Sequence, residues 1–257
     1  MFTCISAQQF VGVVLVVVAR LSVAPLCQVQ ATAAVPCGIL NAAGNKGGAS
    51  CSVTVLDTRI VFVAAHLAAG QSHVERRTAD IVTIIEGTQL TQPPAIEASA
   101  AAAAAAASVA APGAATQYAE LVEVGAEGGG GAEGIGSSRG GGIMEHDIIF
   151  LLGDLNYRIE GSKADVEALV AGGDWAALQS RDQLLQQRPL RPDVFQAFRE
   201  APLLFAPTYK YDQGTLTYDT SSKARAPAWC DRVLFSCASP GLRLECSEYG
   251  RCDVLYR

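Results

Sequence analysis

Three short apolar runs constrain this chain more than any other feature. Residues 11–19, 59–65 and 147–152 are rich in Val, Ile, Leu and Phe, and each has the length of a strand. Runs that are apolar at consecutive positions, as 11–19 and 147–152 are, are what strands buried on both faces show. Arg20 interrupts the first run well short of the ~20 residues a membrane helix needs, so a buried strand is expected there. No basic residue precedes it within residues 1–9, which argues against a signal peptide. Residues 52–55 and 59–65, separated by Leu56-Asp57-Thr58, read as a hairpin. Residues 75–90 space Ala79, Val82, Ile85 and Glu86 at helical intervals and predict an amphipathic helix. Asp174-Trp175 opens a second helix expected to run to Gln187, with Trp175, Leu178 and Leu185 on one side. Residues 193–199 form a short helix anchored by Phe195 and Phe198, and residues 233–235 a last strand. Strands interleaved with helices, and no G-x-G-x-x-G, indicate a layered α/β fold without a dinucleotide site.

A different kind of sequence divides these elements. Residues 91–142 hold 28 Ala or Gly in 52 positions, including an unbroken Ala run from 100 to 107. Pro93, Pro94, Pro112 and the Gly run at 128–131 leave too little apolar side chain to dock it, so a mobile surface insertion is expected. The organisation is then an N-terminal part at 1–90, the insertion at 91–142 and a C-terminal part at 143–257. The insertion also carries four of the chain's six net negative charges. Acidity of the whole chain therefore does not exclude an anionic substrate. The eight cysteines include no C-x-x-C pair and no His at zinc-finger spacing. Reduced, mostly buried thiols are expected, and with them an intracellular protein.

Several chemistries are absent: Gly44-Asn45-Lys46-Gly47-Gly48 is no Walker A loop, and neither H-E-x-x-H nor G-x-S-x-G occurs. What remains is polar residues at the ends of apolar runs. His66 ends one, and Asp154 and Asn156 follow another in Gly153-Asp154-Leu155-Asn156-Tyr157-Arg158. A carboxylate, an amide and an imidazole together suit activation of water and stabilisation of an oxyanion, although a single His after a strand is more often structural and Gly-Asp more often a turn. Thr208-Tyr209-Lys210-Tyr211-Asp212 and Ser222-Lys223-Ala224-Arg225 place cations and phenols in loop-like sequence. That composition serves phosphate oxygens, or a solvated basic loop.

Taken in order, five segments resemble the catalytic domain of inositol polyphosphate 5-phosphatases, most closely the synaptojanin-like branch. They are Gly44-Asn45-Lys46-Gly47-Gly48, His66-Leu67-Ala68-Ala69-Gly70-Gln71-Ser72, Gly153-Asp154-Leu155-Asn156-Tyr157-Arg158-Ile159, Phe205-Ala206-Pro207-Thr208-Tyr209-Lys210-Tyr211-Asp212 and Arg225-Ala226-Pro227-Ala228-Trp229-Cys230-Asp231-Arg232. The resemblance runs from about Gln9 to Phe235, the insertion excepted. It implies a four-layer α/β sandwich of the DNase I-like (endonuclease/exonuclease/phosphatase) type. It also implies Mg²⁺-dependent removal of the 5-phosphate from phosphoinositides or soluble inositol phosphates, in a cytoplasmic protein with peripheral contact at membranes.

By that resemblance Asp154 orients or deprotonates the attacking water, Asn156 holds the phosphoryl group, and His66 stabilises the phosphate in transfer. Asp231 orients a second His. Tyr209, Lys210, Lys223 and Arg225 grip a neighbouring 4-phosphate, and Asn45, Lys46, Tyr157 and Arg158 join the phosphate-binding set. The family's Trp-Asn-x-Asn strand, its metal-binding Gln-Glu and its Ser-Asp-His do not occur here, so no metal ligand is assigned and truncation at both ends is expected. A non-catalytic phosphoinositide-binding module is the alternative. A nuclease of the same fold is disfavoured, because no basic run with interleaved aromatics suggests a nucleic-acid groove.

Overall fold

A computed structural model describes residues 1–10, 12–38, 45–90 and 141–252. Strands β1 (Phe2–Phe10) and β2 (Val13–Arg20) form an antiparallel hairpin. Strands β3 (Cys27–Pro36), β4 (Gly47–Val55), β5 (Thr58–His66), β6 (Ile148–Asp154) and β7 (Asp231–Cys237) form one sheet in that order. Every neighbouring pair is antiparallel except β5 and β6, which are parallel. A parallel pair requires a crossover, and here it contains α1 (Val74–Gly87) and the Ala/Gly-rich stretch. Between β6 and β7 lie α2 (Lys163–Ala171), α3 (Trp175–Ser180), α4 (Gln183–Leu190) and α5 (Pro192–Phe195).

Side-chain alternation along the strands divides the core into layers. Ala49, Cys51 and Val53 of β4 and Ala64 of β5 meet Val13, Leu15 and Val17 of the hairpin. The opposite face of the sheet, with Val61, Val63, Ile149, Leu151 and Leu234, packs on Ile81 and Ile84 of α1 and on Phe195 and Phe198. Burying each of these side chains stabilises the layer by about 1.5–3 kcal/mol. A third cluster, around Trp229, Leu178, Val166 and Ile159, sits beneath α2 and α3.

The expected strand at 147–152 is buried from Ile148 to Leu151 and that at 59–65 at Val61 and from Val63 to Ala65, with Ile60 and Phe62 partly covered, whereas the run at 11–19 is not buried on both faces. Val13, Leu15 and Val17 are covered, but Val14, Val16 and Val18 are 53%, 38% and 56% exposed. Valine favours a strand on either face, so a run of valines hides which face is covered. The buried stripe of α1 is also displaced from the expected one: it is Arg77, Thr78, Asp80, Ile81 and Ile84, with Val82 and Ile85 only partly covered. Arg77 and Asp80, charged residues of this helix, are on its buried side, and both bond the loop after β5.

The helix expected from 174 to 187 is two helices. Asp174 caps the first by accepting from Ala177 N (3.0 Å), and Asp182 starts the second by accepting from Leu185 N (3.0 Å). The helix expected at 193–199 ends early, since Arg199 exchanges backbone hydrogen bonds with Phe235 at 2.7 and 2.9 Å. Strands β1 and β3 and helix α2 have no counterpart among the elements read from sequence. All eight cysteines are free, but only Cys37, Cys51 and Cys230 are buried. Among the described residues no helix is long and apolar enough to cross a membrane.

Apart from Gly141 and Gly142, the stretch expected to be a mobile insertion lies outside the described residues. Its two stems meet, with Leu90 N donating to Gly141 O at 2.9 Å. Replacing residues 91–140 by a two-residue Asn-Gly turn is therefore expected to preserve cooperative unfolding. Loop-closure entropy puts the gain in stability at no more than ~3 kcal/mol. A fall in the thermal midpoint, read by circular dichroism, would show that the stretch packs on the fold. At Gly153, φ is 118° and a Cβ would sit 2.4 Å from Ala65 O. Gly153→Ala should cost about 1–3 kcal/mol from backbone strain alone, measurable by urea denaturation.

Candidate active site

Strand register brings the polar strand ends together. Gly47 pairs with His66, His66 with Asp154, and Asp154 with Asp231, so three of the expected site residues form one row across β5, β6 and β7. Residues in register on neighbouring strands share a face, with Cβ atoms about 4.5–5.5 Å apart. His66 Nε2 stands 3.3 Å from Asp154 Oδ2, and both side chains are partly open to solvent. Lys46, just ahead of β4, hydrogen-bonds its ammonium to the same His66 Nε2. Burial pulls the Lys46 ammonium below its usual range, against the pull of the Asp154 carboxylate.

Asp231 closes the row in a more enclosed setting. Burial first, and then the neighbouring charge of Asp154, push its carboxyl up to about 6. Thr208 Oγ1 donates to Asp231 Oδ2 at 3.4 Å.

Beyond Asp154 the chain turns sharply. Asn156 takes φ 57°, a left-handed conformation that Asn tolerates better than most residues. Its backbone N–H returns to Asp154 Oδ1 (3.1 Å), while its side-chain amide donates to Leu67 O (3.0 Å) in the loop after His66. Leu155 N and Asn156 N both donate to Cys230 O, at 2.7 and 3.2 Å, which ties this turn to the segment entering β7. Arg158 folds back onto Asn156 O (3.1 Å) and Oδ1 and lies 4.4 Å from the centre of the Tyr209 ring.

Tyr209 is thus joined to the row through Arg158, and it pairs with Ala228 through two backbone hydrogen bonds of 3.0 and 2.8 Å. Lys210 and Lys223 are exposed on the two loops that this pairing brings together, and Asn45 is exposed near the hairpin turn at Gly12. Arg225 is committed to an ion pair with buried Asp219, 3.1 Å away. The Ser221 hydroxyl, with the Arg225 backbone and guanidinium, holds the Asp219 carboxyl well below the usual carboxylate range.

Tyr157 does not take the expected phosphate-binding position. Its ring is fully buried, its hydroxyl bonds Thr78 Oγ1 at 3.0 Å, and burial pushes the phenol up to about 12. The alternation of the turn sends it into the core between Asn156 and Arg158.

Three residues beneath the row were missed from sequence. Arg77 gives its guanidinium to Ala68 O (3.2 Å) and Gly70 O (2.6 Å), directly below the loop that follows His66. Asp182 receives Arg232 Nη1 at 2.9 and 3.0 Å, next to Asp231. Gln183 contacts two of the site loops. The one local signal was Asp182 itself, a good N-cap residue inside an otherwise helical pattern.

A hard divalent cation takes oxygen ligands and, when it is Mg²⁺, is often held by one or two carboxylates together with substrate phosphate and water. Asp154 and Asp231, side by side and mutually repelling, fit that description. Among the described residues no three His, Cys, Asp or Glu side chains group to hold a metal by themselves.

The family model described as Endonuclease/Exonuclease/phosphatase family 2 matches residues 1–256. Synaptojanin of Caenorhabditis elegans is 34% identical over 98% of this chain and 18% of its own length. The phosphatidylinositol 4,5-bisphosphate 5-phosphatase INP51 of Saccharomyces cerevisiae is 34% identical over 83% of this chain and 17% of its own. The chain therefore spans less than a fifth of these curated relatives. Among solved structures, the inositol polyphosphate 5-phosphatase domain of spSynaptojanin, in complex with inositol (1,4)-bisphosphate and a calcium ion, superposes with a TM-score of 0.68. It is 29% identical, over 92% of this chain and 55% of that one. With the mixed α/β sheet and its row of strand-end residues, these likenesses bear out the expected DNase I-like class, and the chain belongs to the endonuclease/exonuclease/phosphatase family 2.

Proposed function

We propose that this chain forms the phosphate-handling part of an inositol polyphosphate 5-phosphatase, hydrolysing the 5-phosphate of a phosphoinositide headgroup or of a soluble inositol phosphate. The observation that carries this is the in-register row His66, Asp154, Asp231 with Lys46 against the imidazole. A row of two carboxylates, an imidazole and an ammonium suits phosphoryl transfer, which depends on positioning and on charge compensation. In the reaction Lys46 and His66 face the phosphate oxygens and offset the charge that builds on them. Asp154 orients the attacking water and receives its proton. Asn156 fixes Asp154 through its backbone N–H, while its buried side-chain amide is used on Leu67 O and Arg158 and acts from behind the row. Lys210 and Lys223, exposed on neighbouring loops, extend the cationic surface towards a further phosphate on the ring. Mg²⁺ is the proposed metal: held by Asp154 and Asp231, it would act as a Lewis acid on the phosphoryl oxygens. A cytoplasmic setting, with the loop edge resting on a membrane surface and no role for nucleic acid, completes the proposal.

Phosphate release from vesicles of phosphatidylinositol 4,5-bisphosphate, and from soluble inositol trisphosphate, with Mg²⁺ present, tests the reading. Asp154→Asn is expected to lower turnover by at least about 10²–10⁴-fold, the usual contribution of a positioned acid–base group. A wild-type chain that binds these ligands without releasing phosphate would instead make it a binding module.

The raised Asp231 carboxyl has a consequence for stability. A free Asp titrates near 4, so between about pH 4 and 6 the folded state binds more protons than the unfolded one, and stability falls as pH rises through that window. In EDTA, the thermal midpoint of the wild type should drop from pH 4 to pH 6 relative to that of Asp231→Asn. Parallel curves for the two proteins would show that Asp231 titrates normally.

A further inference from the structure

The N-terminus of α4 touches the segments that carry His66, Asp154 and Asp231. Arg181 O accepts from Glu160 N (2.8 Å), and Gln183 N donates to Arg158 O (2.9 Å). The Asp182 carboxylate holds Arg232, the residue after Asp231. The Gln183 side chain completes the set. Its Oε1 accepts from Arg158 N (3.0 Å), in the loop after Asp154, and from the Arg77 guanidinium (2.5 Å). Its Nε2 donates to Gln71 O (2.9 Å), in the loop after His66, and to the Glu160 carboxylate. A Gln amide has two lone pairs and two N–H groups, and here all four are used, each on a partner of matching polarity. Gln183 and Arg77 are buried, while Gln71 and Glu160 stand at the exposed edge of the network.

We infer that Gln183 is a positioning residue for the proposed hydrolysis: it touches no substrate, and it fixes the loop after His66 to the loop after Asp154, setting where His66, Asn156 and Arg158 stand relative to one another. The inference rests on the hydrolytic reading above for its kinetic consequence, but not for its structural one. A glutamine that only filled space could be replaced by any side chain of similar volume. A four-way amide tolerates no isosteric substitute. The Gln183→Glu change would keep both acceptor contacts, yet it would set an oxygen against Gln71 O and a second carboxylate against Glu160.

The experiment compares the wild-type chain with Gln183→Glu and with Gln183→Glu combined with Glu160→Gln. Turnover on phosphatidylinositol 4,5-bisphosphate vesicles is read alongside circular dichroism and hydrogen exchange. Gln183→Glu should remain folded and lose about 10–100-fold in kcat, as expected when reacting groups shift by about 1 Å. KM should change by less than about threefold, because Gln183 touches no substrate and its replacement misaligns the reacting groups rather than removing a binding contact. Adding Glu160→Gln, which turns one repelling carboxylate into a donor, should recover most of that loss. A folded Gln183→Glu protein with kcat within about twofold of wild type would overturn the inference, as would activity lost only in proportion to the unfolded fraction. Inactivity of the wild type would count against the proposed reaction alone. Hydrogen exchange then decides the positioning role: amides in 67–71 and 155–160 should lose protection in Gln183→Glu while those of β5 and β6 keep theirs. Unchanged protection in those loops would refute it.

Discussion

Everything at the candidate site depends on one pairing, the parallel contact of β5 with β6. The β4–β5 hairpin and the long-range antiparallel pairing of β7 with β6 flank it, but only the parallel pair places His66 next to Asp154. Strand ends that leave a sheet in the same direction leave their last side chains on the same edge, and the loops that follow begin there too. The loop from 67 to 72 and the turn from 155 to 160 are therefore neighbours by construction. The amide of Asn156 on Leu67 O, and Gln183 on both loops, exploit that adjacency.

Charge at this edge is arranged in depth. At the open side Lys46, His66 and Asp154 are partly solvated and bonded to one another. Beneath them Asp231 loses solvent and rises to about 6. Deeper still, Arg232 is wholly buried between Asp182 and Glu200, which drive its guanidinium further up while burial opposes them. A buried pair of this kind is costly to break by removing one member, by about 3–5 kcal/mol, even where its net contribution is small. Its effect is to hold β7 rigidly against the start of α4. The solvated groups above then act on a base that does not move.

Much of this edge could be read from the sequence, because His66, Asp154 and Asp231 stand where apolar runs begin or end, and the bounds of runs are visible locally. The row itself could not, since a parallel pairing depends on contacts far apart along the chain. Arg77 and Gln183 were invisible for the same reason: their bond joins positions 106 residues apart, and each reads alone as an ordinary helical surface residue. Tyr157 was misplaced because a motif gives the identity of a residue and not the side of the turn it takes. The valines of β2 misled in the opposite way, through uniformity, as Val14, Val16 and Val18 are chemically identical to their covered neighbours at 13 and 17. Asp182 shows the remaining case, a local signal overridden by the apolar spacing around it.

The parallel crossover also fixes an order in time. The β4–β5 hairpin closes over a two-residue turn, and such hairpins form in about 1–10 μs. His66 and Asp154 meet only after the whole intervening chain, α1 and the Ala/Gly-rich stretch included, has been gathered in. Loop-closure entropy is lost before that contact returns anything. The stem contact at Leu90 and Gly141 divides the gathering into two smaller steps. The contact that aligns the row is thus among the least local in the sheet, and it carries a larger closure entropy than the hairpin beside it.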